Sequence, residues 1–244
     1  MITLQGVSKT YNKNKTKALD SINLTIPDGC IFGFLGPNGA GKTTTIKLIT
    51  GALEADSGTI SVDGHELPGA SLAARQTIGY VPDNPELFSR LKGIEFLNFI
   101  ADLYGVDREK RQRAIDTYTR RFEIADVMSA RVGSYSRGMK QKLLICGSLL
   151  PDPQNWILDE PLIGLDPQAA FSLKTIMRER AQAGKCVFFS THVMEVAEKI
   201  CDQLAIIKKG EIVFTGTLDE LRSIKGKDSS LESLFLELVE NEGA

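Results

Sequence analysis

Long apolar runs, histidine and a surplus of charge of either sign are what this sequence lacks. No window in its 244 residues approaches the ~18 consecutive apolar residues that span a bilayer. The opening MITLQGVSKTYNKNK carries no apolar signal-peptide core. The chain is therefore expected to be cytoplasmic, and any work at a membrane needs spanning helices from another chain. With 29 Lys and Arg against 31 Asp and Glu, the formal charge is −2. No general basic field exists to hold nucleic acid or anionic lipid, so no nucleic-acid partner is expected. Two histidines, and four cysteines (Cys30, Cys146, Cys186, Cys201) without a CxxC spacing, argue against a structural metal site or a disulfide framework. The cysteines sit mostly among apolar neighbours, as reduced core thiols do.

What is present is an ordinary globular mix, 42% hydrophobic and 25% charged. The length suits one large domain or one domain with an inserted subdomain, burying roughly 70–75% of its unfolded surface. Short strands are expected at Ile2–Leu4, Ile22–Ile26, Ile31–Leu35 and Thr59–Val62, the last running into the turn Asp63-Gly64. From Leu91 the period becomes helical, with Ile94, Leu97, Ile100, Leu103 and Tyr104 on one face and Gly105 as a stop. A second helix follows Asp107; its Arg108–Arg113 run contains interspersed acid and precedes Ala114, Ile115 and Tyr118, which reads as a solvated face, not a basic patch.

After Pro151, strands at Trp156–Leu158, Cys186–Phe189, Gln203–Ile207 and Glu211–Phe214 alternate with helices at Ala169–Ala181 and Met194–Ile200. Strand alternating with helix gives an α/β fold with a mainly parallel sheet. The tail offers a capping box at Ser229–Glu232 and an amphipathic set, Leu231, Leu234, Phe235, Leu238 and Val239.

Directly after the apolar run Ile31–Leu35 stands Gly36-Pro37-Asn38-Gly39-Ala40-Gly41-Lys42-Thr43-Thr44, followed by helical Ile46, Leu48 and Ile49. Strand, glycine loop and helix in that order form a phosphate cradle. Glycines let successive backbone N–H groups turn inward, the helix N-terminus adds partial positive charge, Lys42 reaches the outer phosphates, and the Thr43 hydroxyl can ligate magnesium. The second element, Asn155-Trp156-Ile157-Leu158-Asp159-Glu160-Pro161, is an apolar strand delivering two acids at its end. Burying acids there is costly unless a cation or a reaction uses them. Asp159 would hold magnesium through water, and Glu160 would orient and deprotonate an attacking water.

In the order of these motifs nearly the whole chain resembles the ATP-binding subunit of an ABC transporter. Gly36–Thr44 resembles its Walker A loop and Trp156–Pro161 its Walker B strand. Tyr135-Ser136-Arg137-Gly138-Met139 lies where the family has its signature, Leu165-Asp166 resembles the D-loop, and Ser190-Thr191-His192 the switch histidine. The resemblance implies a P-loop NTPase core with an antiparallel β flank and an inserted α-helical subdomain. The core would comprise 1–90 and 151–215, the helical subdomain 91–150 and a helical tail 216–244. ATP and Mg2+ are the implied ligands. Two such subunits would pair head to tail, with Ser136, Arg137, Gly138 and Met139 of one contacting the ATP of the other. Taken alone, Tyr11 is a strand-end aromatic and His192 an ordinary histidine; the resemblance implies adenine stacking by Tyr11 beside Ala18, and a γ-phosphate contact by His192.

Two departures stand out. Asp83 replaces the family's glutamine after Tyr80-Val81-Pro82; a carboxylate remains a hard magnesium ligand, but coupling to a membrane partner is altered. Arg137 replaces a glycine and Met139 a glutamine or glutamate, which implies altered tuning. An acidic residue at 83, the SRGMKQ segment and the short tail resemble bacterial exporters of drugs, peptides or lipids more than nutrient importers. The expected partner is a separate multi-spanning permease, which places the chain peripherally on the cytoplasmic face of the membrane. The alternatives are an importer subunit or a soluble ABC-type ATPase that transports nothing.

Overall fold

The computed structural model describes residues 1–11, 16–67, 72–84, 89–225 and 230–240. In chain order the strands are β1 (Ile2–Tyr11), β2 (Thr16–Ile26), β3 (Ile31–Leu35), β4 (Ser57–Val62), β5 (His65–Leu67), β6 (Ile78–Val81), β7 (Asn155–Asp159), β8 (Cys186–Thr191), β9 (Gln203–Lys208) and β10 (Glu211–Gly216). The helices are α1 (Lys42–Ile49), α2 (Leu72–Gln76), α3 (Gly93–Leu103), α4 (Arg108–Arg121), α5 (Arg137–Leu149), α6 (Pro167–Gln182), α7 (Met194–Ile200), α8 (Leu218–Lys225) and α9 (Leu231–Glu240).

Two sheets result. A four-stranded antiparallel sheet runs β2-β1-β4-β5, and a six-stranded sheet runs β10-β9-β3-β8-β7-β6. In the larger sheet every described pairing is parallel except β10 with β9. Its central strands alternate their side chains between two cores, as a strand's period of two requires. Phe32, Phe34, Ile157 and Phe188 face α1 and the antiparallel sheet, joining Ile46, Ile49, Ile2, Leu4 and Ile60. The Phe188 ring tilts against Phe32 and Phe34, with centroids 6.1 and 5.5 Å away. Ile31, Trp156, Leu158, Val187 and Phe189 face the other way, onto α5 and α6. With both faces covered, all positions of β3, β7 and β8 are buried, which explains the apolar runs Ile31–Leu35, Trp156–Leu158 and Cys186–Phe189.

The cluster on the second face continues into α3 and α4 through Phe96, Leu97 and Ile115, so the helices of the 91–150 segment share a core with the sheet. Lys92 and Glu95 box the start of α3, the Lys92 N–H donating to Glu95 Oε2 at 2.8 Å, and Gly105 ends it at φ 65°. Asp107 caps α4 by accepting the Glu109 and Lys110 N–H groups. The basic run of α4 stays on the solvent side, Arg111 pairing with Asp102 and Arg121 with Glu179, while Ile115 and Thr119 turn inward. A third core gathers α8 and α9 against α7, with Leu221, Leu231, Leu234 and Phe235 on Met194, Ala197 and Leu35. Ser229 lies outside the described residues, as does the Val239 side chain; Ser230 accepts the Ser233 N–H at 3.2 Å and caps α9.

β1 and β2 run longer than the alternation of their side chains indicates. Register shifts interrupt their pairing between Leu4 and Val7 and again near Lys9, and each bulge breaks the period that marks a strand in sequence. β5, β6 and α2 were too short to show a period at all. The four cysteines are unpaired, and burial pushes every thiol up, Cys30 to about 12, as inert core thiols require. Among the described residues no helix is long and apolar enough to cross a membrane. Phe188→Ala should cost about 3–5 kcal/mol of unfolding free energy, read from the midpoint of chemical denaturation; a loss below about 1 kcal/mol would mean that the face between the sheets is not tightly packed.

Candidate nucleotide-binding site

Parallel strands place three chain reversals at one edge of the sheet. β3 ends in the loop Gly36–Gly41, β7 ends in Asp159 and Glu160, and β8 ends one residue before His192. The loop enters α1 through Gly41 at φ 117°, and a Cβ there would also lie 2.8 Å from the Ala18 carbonyl oxygen. Glycine is thus required on both counts. The N-cap residue, Gly41, has no side chain to cap α1, and no acid occupies the helix's first turn, so among the described residues its N-terminal N–H groups face an anion site.

Lys42 is 6% exposed and donates to the carbonyl oxygens of Gly36 at 2.6 Å and Pro37 at 3.3 Å. It also lies 3.5 Å from Glu160 Oε1. Thr43 Oγ1 donates to Asp159 Oδ2 at 2.8 Å, and Ser190 Oγ donates to Asp159 Oδ1 at 2.5 Å. Burial holds the Asp159 carboxyl above the usual range, with the nearby Asp83 and Glu160 charges adding to the shift and the two hydroxyl donors opposing it. Thr43 and Asp159 are adjacent hard oxygen donors, and Asp83 faces the same cavity. A hydroxyl with one or two carboxylates, leaving other positions for water and phosphate oxygens, suits magnesium.

Glu160 adopts φ 49°, a left-handed conformation that costs a non-glycine residue about 1–3 kcal/mol. Its amide donates to Ser190 Oγ at 2.9 Å, and its carboxylate lies 2.9 Å from His192 Nδ1. The base candidate is therefore oriented from three directions, by Lys42, Ser190 and His192.

The cavity, about 340 Å³, is lined by Tyr11, Ala18, Pro37, Asn38, Gly39, Gly41, Lys42, Thr43, Thr44, Asp83 and Glu160. Tyr11 is 40% exposed at the rim, its hydroxyl 3.5 Å from Thr44 Oγ1. Ala40 sits buried behind the loop. Ser136, Arg137, Gly138, Met139 and Asp166 do not line this cavity. Ser136 caps α5 by accepting the Met139 N–H at 3.2 Å, and Asp166 caps α6 and pairs with Lys142. Sequence reasoning assigned no role to Ser190 as the donor that fixes Asp159, although Ser190 immediately precedes Thr191-His192. It also missed Lys142, whose partner is 24 positions away and carries no local signal.

The raised Asp159 carboxyl has a definite sign in stability. The unfolded chain releases this proton at lower pH than the folded chain, so ionised Asp159 weakens the nucleotide-free fold above the ordinary carboxylate pKa. Asp159→Asn should raise the melting temperature of the nucleotide-free protein at pH 7 in chelator. The advantage over the wild type should shrink as pH falls through the raised folded value towards the ordinary one; an unchanged or lower melting temperature at pH 7 would show that the two hydroxyl donors outweigh burial.

Residues 19–163 match the ABC transporter family. The chain is similar to the ABC transporter ATP-binding protein NatA of Bacillus subtilis, 35% identical with 91% of each chain covered. It is 33% identical to the ABC-type transporter ATP-binding protein EcsA of the same organism, over 99% of this chain and 98% of EcsA. The daunorubicin resistance ATP-binding protein DrrA3 of Streptomyces coeruleorubidus is 33% identical over 93% of this chain and 71% of its own. Among solved structures, an ATP-binding subunit of an ABC transporter superposes with a TM-score of 0.92 at 33% identity, covering 98% of this chain and 99% of that one. A dimeric bacterial ABC transporter cassette, MJ0796, matches at 25% identity and TM-score 0.79, covering 89% of this chain and 99% of that one. The P-loop fold, the strand-end cradle and these relatives lead to one conclusion: this chain belongs to the ABC transporter family, as an ATP-binding and ATP-hydrolysing subunit.

Proposed function

We propose that the chain powers export of a drug, peptide or lipid through a separate multi-spanning permease, closing on a second ATP-binding subunit around ATP and reopening after hydrolysis. The observation that carries the hydrolytic part is the convergence of Lys42 and His192 on Glu160 Oε1, at 3.5 and 2.9 Å. Export is supported by the acidic Asp83, by the SRGMKQ segment and by a relative named for daunorubicin resistance.

In this reading the N–H groups of Gly36–Thr44 and the start of α1 hold the triphosphate. Lys42 reaches the outer phosphates. Tyr11 stacks on adenine, and Ala18 forms the adjoining wall. Thr43, Asp159 and Asp83 would hold magnesium, which when bound neutralises charge on the phosphates. Glu160 takes a proton from the attacking water as its oxygen bonds to the γ-phosphorus and the bond to the bridging oxygen of ADP breaks. His192 steadies Glu160 and meets the γ-phosphate. Ser136, Arg137, Gly138 and Met139 reach the nucleotide of the partner subunit, and Asp166 stands at the same interface. The helices of 91–150 and the Asp83 segment pass the closure to the permease, while 1–90 with 151–215 hold the nucleotide and 216–244 form a helical tail. The subunit thus works on the cytoplasmic face of the membrane.

Glu160→Gln should lower ATP turnover by about 10²–10⁴ and trap an ATP-bound dimer in light scattering; a monomer at saturating ATP and magnesium would count against the closure cycle. Gentle solubilisation of membranes from the native cell should recover the tagged chain with a stoichiometric multi-spanning protein. Recovery in the soluble fraction with ribosomes, with DNA or alone would remove the transport assignment and leave the ATPase.

A further inference from the structure

The phosphate loop rests on the end of β9. A Cβ added to Gly36 would lie 2.6 Å from the Ile207 carbonyl oxygen, and one at Gly41 would lie 3.0 Å from Ile207 Cδ1. Ile207 therefore occupies the space that both loop glycines leave open. Two residues on, β9 turns into β10 through Lys209 and Gly210, at φ 47° and 85°, the positive values that a two-residue hairpin turn requires. The Gly210 N–H donates to the Ala40 carbonyl oxygen at 2.9 Å, and the Gly210 carbonyl oxygen accepts the Asp20 N–H at 2.9 Å. A Cβ on Gly210 would lie 2.9 Å from the Ala18 carbonyl oxygen, so the hairpin tip is keyed between the loop and the wall of the nucleotide cavity. Beside these contacts the packing is open. Pro37, Asn38, Gly39 and Ala40 line a second cavity of about 170 Å³ with Lys208 and Lys209, which leaves the loop room to shift if the strand end moves.

Lys208 turns the opposite way from Ile207, as neighbours on a strand do. It is 8% exposed, and its Nζ donates to the Leu238 carbonyl oxygen at 3.3 Å. Leu238 stands in the last turn of α9, where carbonyls have no intrahelical partner and carry the negative end of the helix dipole. The same helix packs Leu231, Leu234 and Phe235 on Leu35, which directly precedes Gly36, and on Leu204 and Ile206 of β9. Burying an ammonium is costly unless hydrogen bonds compensate, and a methionine fills a similar volume without that cost. We propose that Lys208 is a positioning residue for nucleotide binding. By holding the end of α9 it fixes the end of β9, and through Ile207 and Gly210 it keeps the phosphate loop in the shape that receives a nucleotide. A loop already shaped loses less freedom on binding, so docking of the tail helix sets ATP affinity while the hydrolytic groups stay in place. The proposal rests on the reading of Gly36–Thr44 as the phosphate cradle.

The test uses the full chain, with Kd for ADP and magnesium from calorimetry, and KM and kcat from steady-state ATP hydrolysis. Lys208→Met keeps the apolar stem and removes the ammonium. It should raise both Kd and KM by about fivefold to twentyfold, with kcat at saturating ATP and the melting temperature little changed. Lys208→Arg keeps a donor for the end of α9 and should recover most of the lost affinity. Leu234→Ala loosens α9 by a second route and should also raise Kd; combined with Lys208→Met it should bind no more weakly than the worse single variant. Wild-type Kd and KM in Lys208→Met would overturn the proposal, as would additive losses in the double variant. So would a loss of affinity that follows a fall in melting temperature and that arginine does not restore, since this marks a purely structural role. Lys42→Ala separates the two levels. If it abolishes ADP binding while Lys208→Met leaves binding intact, only the positioning role falls; if it binds ADP as the wild type does, the reading of the cradle falls and takes the role of Lys208 with it.

Discussion

A parallel sheet covered on both faces has no room for charge within its strands. β3, β7 and β8 are buried along their whole length, one face closed by α1 and the antiparallel sheet, the other by α5 and α6. The polar groups that the chemistry needs are therefore carried to the strand ends. Since these strands run parallel, their carboxyl ends share one edge, where open α/β sheets bind ligands. The glycine loop, the Asp159-Glu160 pair and His192 come from distant parts of the chain, yet each needs only to follow its own strand to reach the others.

That edge is electrostatically uneven. Lys42 is buried and satisfied by loop carbonyls, Asp159 is a buried carboxylate held by two hydroxyls, and Glu160 occupies a left-handed conformation. Burial disfavours the ionised form of Asp159, and the left-handed backbone strains Glu160. The Glu160 carboxylate lies beside Lys42 and His192, and the backbone leads on into the segment before α6. Strained conformations of this kind persist where surrounding contacts over-determine them, and the Ser190 and His192 bonds do so here.

The helices inserted between β6 and β7 are continuous with this edge, not appended to it. One apolar cluster runs from Phe96 and Ile115 through Leu143 and Ile145 to Trp156 and Phe189, and Trp156 Nε1 donates to Ser148 Oγ at 2.9 Å. Tyr104 adds a tie from the end of α3 to the Ile78 carbonyl oxygen at 2.9 Å. On the opposite flank, α9 packs on α7 through Leu231, Leu234 and Met194, so the tail braces the helix that begins just after His192.

Features written in short stretches of chain were legible in the sequence. The Gly36–Thr44 loop, the apolar strand ending in Asp159-Glu160 and the periods of α3 and α9 each depend on neighbours within a few positions, and backbone sterics and side-chain spacing act at that range. The bulged reach of β1 and β2 escaped, because a bulge breaks the period that reveals a strand. The order of the sheet, with β8 between β3 and β7, escaped as well, along with the hydroxyl of Ser190 on Asp159, the ammonium of Lys42 beside Glu160 and the pairing of Lys142 with Asp166. The sequence by itself determined which chemistry the chain carries and at which strand ends. Only the tertiary structure decided which of those groups touch, since hydrogen bonds and ion pairs form between side chains a few ångströms apart, and for residues distant in the chain that separation is set by the packing of the sheet and its helices.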